Sequence, residues 1–150
     1  GQLEASLAVK IELEKMVPPV NESRYATLEI SGAGGSVSVR DLIEGAERLS
    51  GGYKPKFNKV SEKLAETQYV RVPWQSKHNW KIKATSDGIV YTISPSEESL
   101  EATGKVWKRV HTAVDGPYLK RVFETRLERG DEIELAGYEL SLIGKELVLK

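Results

Sequence analysis

The sequence predicts a single α+β domain over residues 1–150, in which an antiparallel β-hairpin and two β-meanders pack with about four helices. Two kinds of hydrophobic pattern alternate along the chain and lead to this fold class. Some segments place apolar residues at every second position, as strands do, and others place them three or four positions apart, as helices do. No linker, repeat or low-complexity tract divides the chain, and its length suffices for one domain with a substantial core.

The first predicted elements form a hairpin. Alternation in "LAVKIEL" predicts a strand at 7–13, and alternation in "YATLEIS" predicts another at 25–31. The segment between them contains two prolines, which lack the N–H donor that a strand ladder requires. The two strands are therefore predicted to pair antiparallel across a long loop.

Two helices are predicted next, at 39–49 and 56–67. The first has Ser38 as its N-cap and ends at "SGG". The second follows Pro55, a residue suited to the first turn of a helix. The apolar stripes are Val39, Leu42, Ile43, Ala46 and Leu49 in the first helix and Phe57, Val60 and Leu64 in the second.

The stretch "YVRVPWQSKHNWKIKATSDGIVYTI", residues 69–93, predicts a three-stranded meander. Its alternating segments place strands at 69–73, 79–84 and 88–93, and "SDG" is a turn signal between the last two. Periodicity puts Trp80 on an apolar face of this sheet and leaves the basic residues on the opposite, polar face.

The last part of the chain predicts two more helices and a second meander. Ser94 and Glu97 form a capping box for a helix that ends near Asp115. The segment "YLKRVFETRLER" predicts a fourth helix at 118–129. The C-terminal "DEIELAGYELSLIGKELVLK" then alternates through two turn signals, Ala136-Gly137 and Gly144-Lys145, which is typical of a meander.

Several classes of function are disfavoured by composition. The chain has no cysteine, so it has no disulfide, thiolate zinc site or thiol nucleophile. His111 and Asp115, one turn apart on a predicted helix, give only two of the ligands that a metal requires. The chain contains no G-x-S-x-G, H-E-x-x-H or EF-hand motif. We therefore expect a non-enzymatic protein without a metal or cofactor.

The glycine-rich segment "SGAGGSVS" at 31–38 leads from a predicted strand into a predicted helix. Backbone N–H groups at such a place can bind phosphate, but the Gly-Lys-Ser/Thr ending of a P-loop is missing. This segment is interpreted as a flexible connector. No uncharged run approaches the thickness of a bilayer, and charges interrupt the N-terminal segment, so a soluble, cytoplasmic protein is expected.

Charge is balanced overall but divided into blocks. The whole chain has 22 Lys and Arg against 22 Asp and Glu, whereas residues 53–93 have eight against three and residues 105–129 have seven against three. A field of one sign on one face attracts a polyanion even when the net charge is zero. The basic residues of the second block are Lys105, Lys108, Arg109, Lys120, Arg121, Arg126 and Arg129.

The first basic block is interleaved with aromatic residues, which predicts a domain that binds single-stranded DNA or RNA. Lysines and arginines neutralise phosphates, while aromatic rings stack on unpaired bases. A ridge of lysines on the helix at 56–67 extends this surface. The predicted nucleic-acid-binding residues are Tyr53, Lys54, Lys56, Lys59, Tyr69, Arg71, Trp74, Lys77, Lys81 and Lys83.

Three other interpretations remain open at this stage. The basic strip is also typical of an ordinary solvated sheet face. A structural or protein-interaction domain, including a homo-oligomer, is a second alternative, because the final strand would offer an open edge to a partner. The third is a duplex DNA binder that resembles part of a winged-helix module, with residues 56–67 as its recognition helix and 77–90 as its wing.

Overall fold

The computed structural model describes residues 25–32, 36–111, 114–116, 119 and 121–150. This part of the chain is mostly β-structure, with one α-helix and one short 3-10 helix at Glu62–Leu64. No helix within it has the length and apolar character needed to cross a lipid bilayer. Its elements are β1 (Thr27–Ser31), β2 (Ser38–Asp41), β3 (Leu49–Ser50), β4 (Lys59–Val60), β5 (Gln68–Pro73), β6 (Lys77–Ala84), β7 (Gly88–Ile93), α1 (Glu97–Ala102), β8 (Lys108–Arg109), β9 (Val114–Asp115), β10 (Val122–Leu127), β11 (Glu132–Tyr138), β12 (Ser141–Gly144) and β13 (Glu146–Leu149).

The strands form two main sheets and one small one. The four-stranded sheet has the order β11-β6-β1-β13, and β13 runs parallel to β1. The seven-stranded sheet has the order β2-β5-β12-β7-β10-β8, with the short β3 also paired to β5. Strands β4 and β9 pair with each other alone among the described strands.

The two main sheets share one hydrophobic core. Leu28, Trp80 and Leu135 contribute from the four-stranded sheet, and Val70 and Leu142 from the seven-stranded sheet. This arrangement is a β-sandwich, in which side chains from two sheets interdigitate.

The seven-stranded sheet is buried on its other face as well. Tyr69, Tyr91 and Ile143 alternate with residues of the shared core and lie in a second cluster with Phe57 and Leu64. The segment that carries Phe57 and Leu64 therefore covers the outside of this sheet. Burial on both faces explains the nearly continuous apolar runs in β7 and β12.

The predicted α+β class is wrong, and the helices at 39–49 and 56–67 are not formed. Residues Ser38–Asp41 pair with β5, and Gly45, within the first predicted helix, has a φ of 87° that no α-helix accommodates. Lys59–Val60 pairs with β9 in place of the second helix. Of the apolar residues at helical spacing, Leu42, Leu49, Phe57 and Leu64 are buried, whereas Ile43 is 62% exposed. Non-local strand pairs determine the backbone here.

The two later helices are also mostly absent. The third is reduced to α1, capped by Ser96 instead of Ser94, and Gly104 with a φ of 73° follows its end. The segment expected as the fourth helix contains β10, which pairs with β7 and β8. The run Val122–Leu127 contains β-branched and aromatic residues that suit a strand between two neighbours.

Both predicted meanders are wrong in their pairing, although most of their strands are present. Strands β5 and β7 belong to the seven-stranded sheet, whereas β6, which lies between them in sequence, belongs to the four-stranded sheet. Strands β11, β12 and β13 likewise pair with β6, with β5 and β7, and with β1. Alternation shows that a segment is a strand, but it does not identify the neighbouring strand.

The predicted N-terminal hairpin is not supported by the pairing of β1. Strand β1 has β6 on one edge and β13 on the other, so both edges are occupied. The proposed partner at 7–13 lies outside the described residues.

Candidate functional site

The predicted basic and aromatic sheet face is divided between buried and exposed parts of the molecule. Tyr69 is buried in the second core, packs edge-on against Phe57, and donates its hydroxyl proton to the backbone carbonyl of Glu47. Burial raises the pKa of Tyr69. Arg71 donates to the Glu47 carboxylate at 2.6 Å. Tyr69 is therefore not positioned to stack on a base, and the guanidinium of Arg71 is already paired with a carboxylate.

Lys81 and Lys83 are exposed, but they lie on the four-stranded sheet among carboxylates. Lys81 is opposite Glu134 on β11, and Lys83 is flanked by Glu132 on β11 and Glu29 on β1. These five residues line a cavity of about 540 Å³ and are called here the charged sheet face. With three carboxylates against two lysines, this face does not favour a polyanion.

Two of the predicted stacking residues, Tyr53 and Trp74, meet at a different place. They line a cavity of about 660 Å³, a size typical of small-ligand sites. Tyr53 is 45% exposed, Trp74 is 42% exposed, and Tyr138, which joins them, is 48% exposed. These three are the only exposed phenylalanine, tyrosine or tryptophan side chains in the part of the chain that the structure describes. The cavity, called here the aromatic cleft, is lined by Arg48, Leu49, Tyr53, Trp74, Gln75, Ser94, Arg121, Tyr138 and Glu139.

The aromatic cleft is built from the turns and strand ends at one end of the two sheets. Trp74 and Gln75 form the turn from β5 to β6, and Glu139 lies in the turn from β11 to β12. Ser94 follows β7, and its N–H donates to the carbonyl of Arg121, which precedes β10, at 2.8 Å. Loops supported by a rigid sheet commonly carry binding residues.

The turns of the cleft are held to one another by short hydrogen bonds. The N–H of Trp74 donates to the carbonyl of Ser50 at 2.9 Å. The N–H of Gln75 donates to the Glu139 carboxylate at 2.7 Å, and the N–H of Glu139 donates to the carbonyl of Ser76 at 2.6 Å. These bonds hold the turn that carries Trp74 to Ser50 on one side and to Glu139 on the other.

Glycines permit close contacts at two points of the cleft. A Cβ on Gly52 would lie 2.1 Å from the Trp74 ring, so the indole rests directly on the backbone of Gly52. A Cβ on Gly137 would lie 2.3 Å from the carbonyl oxygen of Ser94. Side chains at these two positions would therefore displace the walls of the cleft.

Strained backbone is concentrated around the cleft. Gln75, Ser94 and Glu139 have φ values of 60°, 59° and 54°, and in the described ranges Glu66 alone shares this feature among non-glycine residues. Such conformations cost about 1 to 3 kcal/mol each and cluster at ligand sites. Three of these four residues converge on one cavity, which makes the aromatic cleft the candidate site.

A buried cation lies at the base of the cleft. Arg48 is 1% exposed, and its Nη2 donates to Ser94 Oγ at 3.3 Å. Its Nη1 lies 3.8 Å from Oε1 of Glu139, and neither Nε nor Nη1 has a hydrogen-bond partner among the described residues. The pKa of Arg48 is lowered, because the effect of burial exceeds the opposite effect of the nearby Glu139 carboxylate. The guanidinium nevertheless stays charged, as it does in proteins generally.

A second arginine, Arg121, lies at the edge of the cleft. Its Nη2 donates to the carbonyl of Pro95 at 2.6 Å, and its Nη1 lies 3.5 Å from the carboxylate of Glu97. The guanidinium carbon also lies 5.6 Å from the centre of the Phe123 ring. These contacts hold a partly exposed positive charge beside the aromatic residues.

The remaining predicted lysines are exposed, and two of them flank the cleft. Lys54 follows Tyr53 in the chain, and Lys77 is the cross-strand partner of Tyr138. Lys56 and Lys59 are exposed in an extended segment, so they do not form the helical ridge that the sequence predicts.

The other candidate sites do not assemble. No cluster of three or more His, Cys, Asp or Glu is placed to hold a metal in the described ranges, and His111 and Asp115 do not share a helix. The glycine-rich segment is followed by β2, so no helix N-terminus is present there, and its residues 33–35 lie outside the described part. In the second basic block Lys105 pairs with Asp131 at 2.8 Å, while Lys120 is outside the described residues.

Sequence reasoning missed the charged and aromatic residues that complete the cleft. The predicted helix at 39–49 contains Arg48, and the predicted C-terminal meander puts Tyr138 and Glu139 within a strand. The turn in fact lies at Glu139, because β11 continues through Gly137 to Tyr138. An aromatic residue at the end of a strand, directly before a charged turn residue, is the available signal for this part of the site.

No protein-family model, curated protein or solved structure matches this chain.

Proposed function

We propose that this chain is a non-enzymatic domain that binds single-stranded nucleic acid, DNA or RNA, through the aromatic cleft. The observation that supports this most strongly is the position of the exposed aromatic residues. Tyr53, Trp74 and Tyr138 surround one cavity, and two arginines lie beside them. Aromatic rings next to a positively charged groove are the usual means of binding unpaired strands.

The aromatic rings supply an affinity that does not depend on sequence. Stacking of a base on an aromatic side chain contributes about 1 to 3 kcal/mol, which corresponds to about 5- to 150-fold in Kd. The bases of a duplex are already stacked on one another inside the double helix, so the cleft favours strands whose bases are unpaired. The recognition helix required by the winged-helix alternative is not formed at residues 56–67.

The cations favour a polyanion over a neutral ligand such as a plain sugar. The buried Arg48 contributes positive charge from the base of the cleft. The cations that a phosphate can reach are Arg121 at the edge of the cleft, and Lys54 and Lys77, which are neighbours of its aromatic residues. A phosphate backbone that follows these side chains would release counterions, so its binding depends on salt. A neutral ligand would gain stacking from the rings but little from the charges.

Fluorescence anisotropy of labelled oligonucleotides tests this function. The full chain is titrated into single-stranded DNA, single-stranded RNA and duplex DNA at several salt concentrations. Single strands are expected to bind more tightly than duplex, with log K falling by about 0.7 per neutralised phosphate for each unit of log salt. Absence of binding to single strands at low salt, or tighter binding to duplex, would contradict the proposal.

A further inference from the structure

We infer that the aromatic cleft selects guanine among the bases, and that the Glu139 carboxylate reads the Watson–Crick edge of a base stacked on Trp74. This inference rests on the proposed binding of single strands. It adds a base preference that stacking alone cannot provide, because every base has a face that can stack.

The Glu139 carboxylate is hydrogen-bonded to the turn that carries Trp74. Trp74 directly precedes Gln75, whose N–H holds Oε2 of Glu139 at 2.7 Å. The Glu139 side chain is 12% exposed, so a ligand reaches it from inside the cleft. Trp74 and Glu139 line the same cavity, so the inference places the edge of a base stacked on Trp74 at this carboxylate.

The charges of the site fit a base edge better than a phosphate. An ionised carboxylate only accepts hydrogen bonds, and a phosphate at neutral pH also offers mainly acceptors, so the two repel each other. Arg48 balances the carboxylate from behind, with Nη1 at 3.8 Å from Oε1. Arg48 acts here as a positioning residue, because its guanidinium lies against the carboxylate from the buried side of the cleft.

Guanine is the base that gives this carboxylate the most hydrogen bonds. Its Watson–Crick edge carries two adjacent donors, the N1–H and the N2 amino group, which match the two oxygens of one carboxylate. Adenine and cytosine each present one amino group on that edge, and uracil and thymine present one imino group. Each carboxylate oxygen accepts more than one bond, so the contact from Gln75 does not prevent this pairing.

The experiment uses the full chain and oligothymidylates that carry one guanine, inosine, adenine or cytosine at their centre. Guanine is expected to bind roughly 5- to 100-fold more tightly than adenine, in line with the discrimination of a bidentate base contact. Inosine, which lacks the N2 amino group, is expected to bind between guanine and adenine. This comparison needs no variant, so a folding defect cannot obscure it.

The variant Glu139→Gln provides the second readout. A glutamine oxygen can still accept the Gln75 N–H, so the turn is retained, but an amide cannot accept two donors side by side. The guanine preference is expected to disappear, so that in this variant the ratio of the Kd for the guanine oligonucleotide to the Kd for plain oligothymidylate approaches one. Equal binding of all bases, or an unchanged preference in E139Q, would overturn this inference and leave single-strand binding intact. Loss of binding to every oligonucleotide by the unaltered chain would instead overturn the proposed function.

Discussion

Strands β6 and β11 contribute to two surfaces with opposite character. At one end of this strand pair, Lys77 and Tyr138 lie opposite each other beside the aromatic cleft, and further along, Lys81 and Lys83 lie among the glutamates of the charged sheet face. The cleft has three exposed rings and two arginines for one carboxylate. The charged sheet face has no aromatic side chain and more acids than bases.

The difference shows that strand pairing determines the electrostatic surroundings of each lysine in a basic segment. Lys77, Lys81 and Lys83 lie on one strand with alternating periodicity, so the sequence makes them look equivalent. Pairing with β1 and β11 places glutamates beside Lys81 and Lys83, whereas Lys77 adjoins a tyrosine. Whether a lysine can bind a polyanion thus depends on its cross-strand neighbours.

The largest effect is expected from removing two rings of the cleft. Trp74→Ala combined with Tyr138→Ala should weaken single-strand binding by about 30-fold or more, because each ring contributes at least about 1 kcal/mol of stacking. The matched control is Lys81→Ala combined with Lys83→Ala, which should leave Kd within about twofold. Anisotropy titrations with one single-stranded oligonucleotide measure both. A larger loss in the lysine variant would place the binding surface on the charged sheet face.

Two neighbouring glycines test the position of Trp74. Gly52→Ala would push a methyl group into the indole and should weaken binding by about tenfold. Gly51→Ala has the same type of backbone strain, with a φ of 69°, but meets nothing within 4 Å. Both variants should lose about 1 to 3 kcal/mol of unfolding free energy in urea titrations. Equal binding by the two variants would show that Trp74 is not part of the site.

The salt dependence of binding separates the lysines on β6. Lys77→Ala should reduce the magnitude of the slope of log K against log salt by about 0.7, the value for one lost phosphate contact on a single strand. Lys83 lies six residues further along β6, about 20 Å away at 3.3 Å per residue, which exceeds the screening length of about 8 Å. Lys83→Ala should therefore leave the slope unchanged. A reduced slope for Lys83→Ala but not for Lys77→Ala would reverse the assignment of the two surfaces.

The smallest effect concerns pH and His78, which lies between the two surfaces. Its Nε2 is 2.8 Å from Ser76 Oγ, its ring packs near Trp80, and burial lowers its pKa from the ordinary value of 6.5. The unfolded chain thus binds the proton more tightly than the folded chain, so stability is fully present above pH 6.5 and declines as pH falls below it. Urea unfolding of the unaltered chain and of His78→Gln at several pH values measures this contribution. A His78→Gln variant with the same decline would show that His78 is not responsible.

The sequence predicts the positions of strands correctly where the alternation of apolar residues depends on one segment alone. The strands expected at 69–73, 79–84 and 88–93 are present at Gln68–Pro73, Lys77–Ala84 and Gly88–Ile93, because alternation depends only on local geometry. The predicted strand pairing and the predicted helices are wrong, because strand pairing and the choice between helix and strand depend on distant segments. Val122–Leu127, for example, has an apolar set that fits a helix until β7 and β8 are seen on either side of it.

The cleft was only partly predictable for the same reason. Tyr53 and Trp74 could be found because an aromatic residue in a loop is visible in the sequence. Arg48, Arg121 and Glu139 lie far apart in the chain and meet only after the two sheets have assembled. Nothing in a single sequence distinguishes a buried arginine at the base of a cavity from a solvated one.

The most direct measurement is to follow the indole N–H resonances of Trp74, Trp80 and Trp107 by nuclear magnetic resonance while an oligothymidylate is added. Each tryptophan gives one signal, which Trp→Phe variants assign. Trp80 is fully buried and Trp107 is half-buried, whereas Trp74 is 42% exposed in the aromatic cleft. The proposed function predicts that the Trp74 signal shifts with the same affinity as the anisotropy titration, while the Trp80 and Trp107 signals stay in place. A Trp74 signal that does not move while the amide signals of Lys81 and Lys83 do would contradict it.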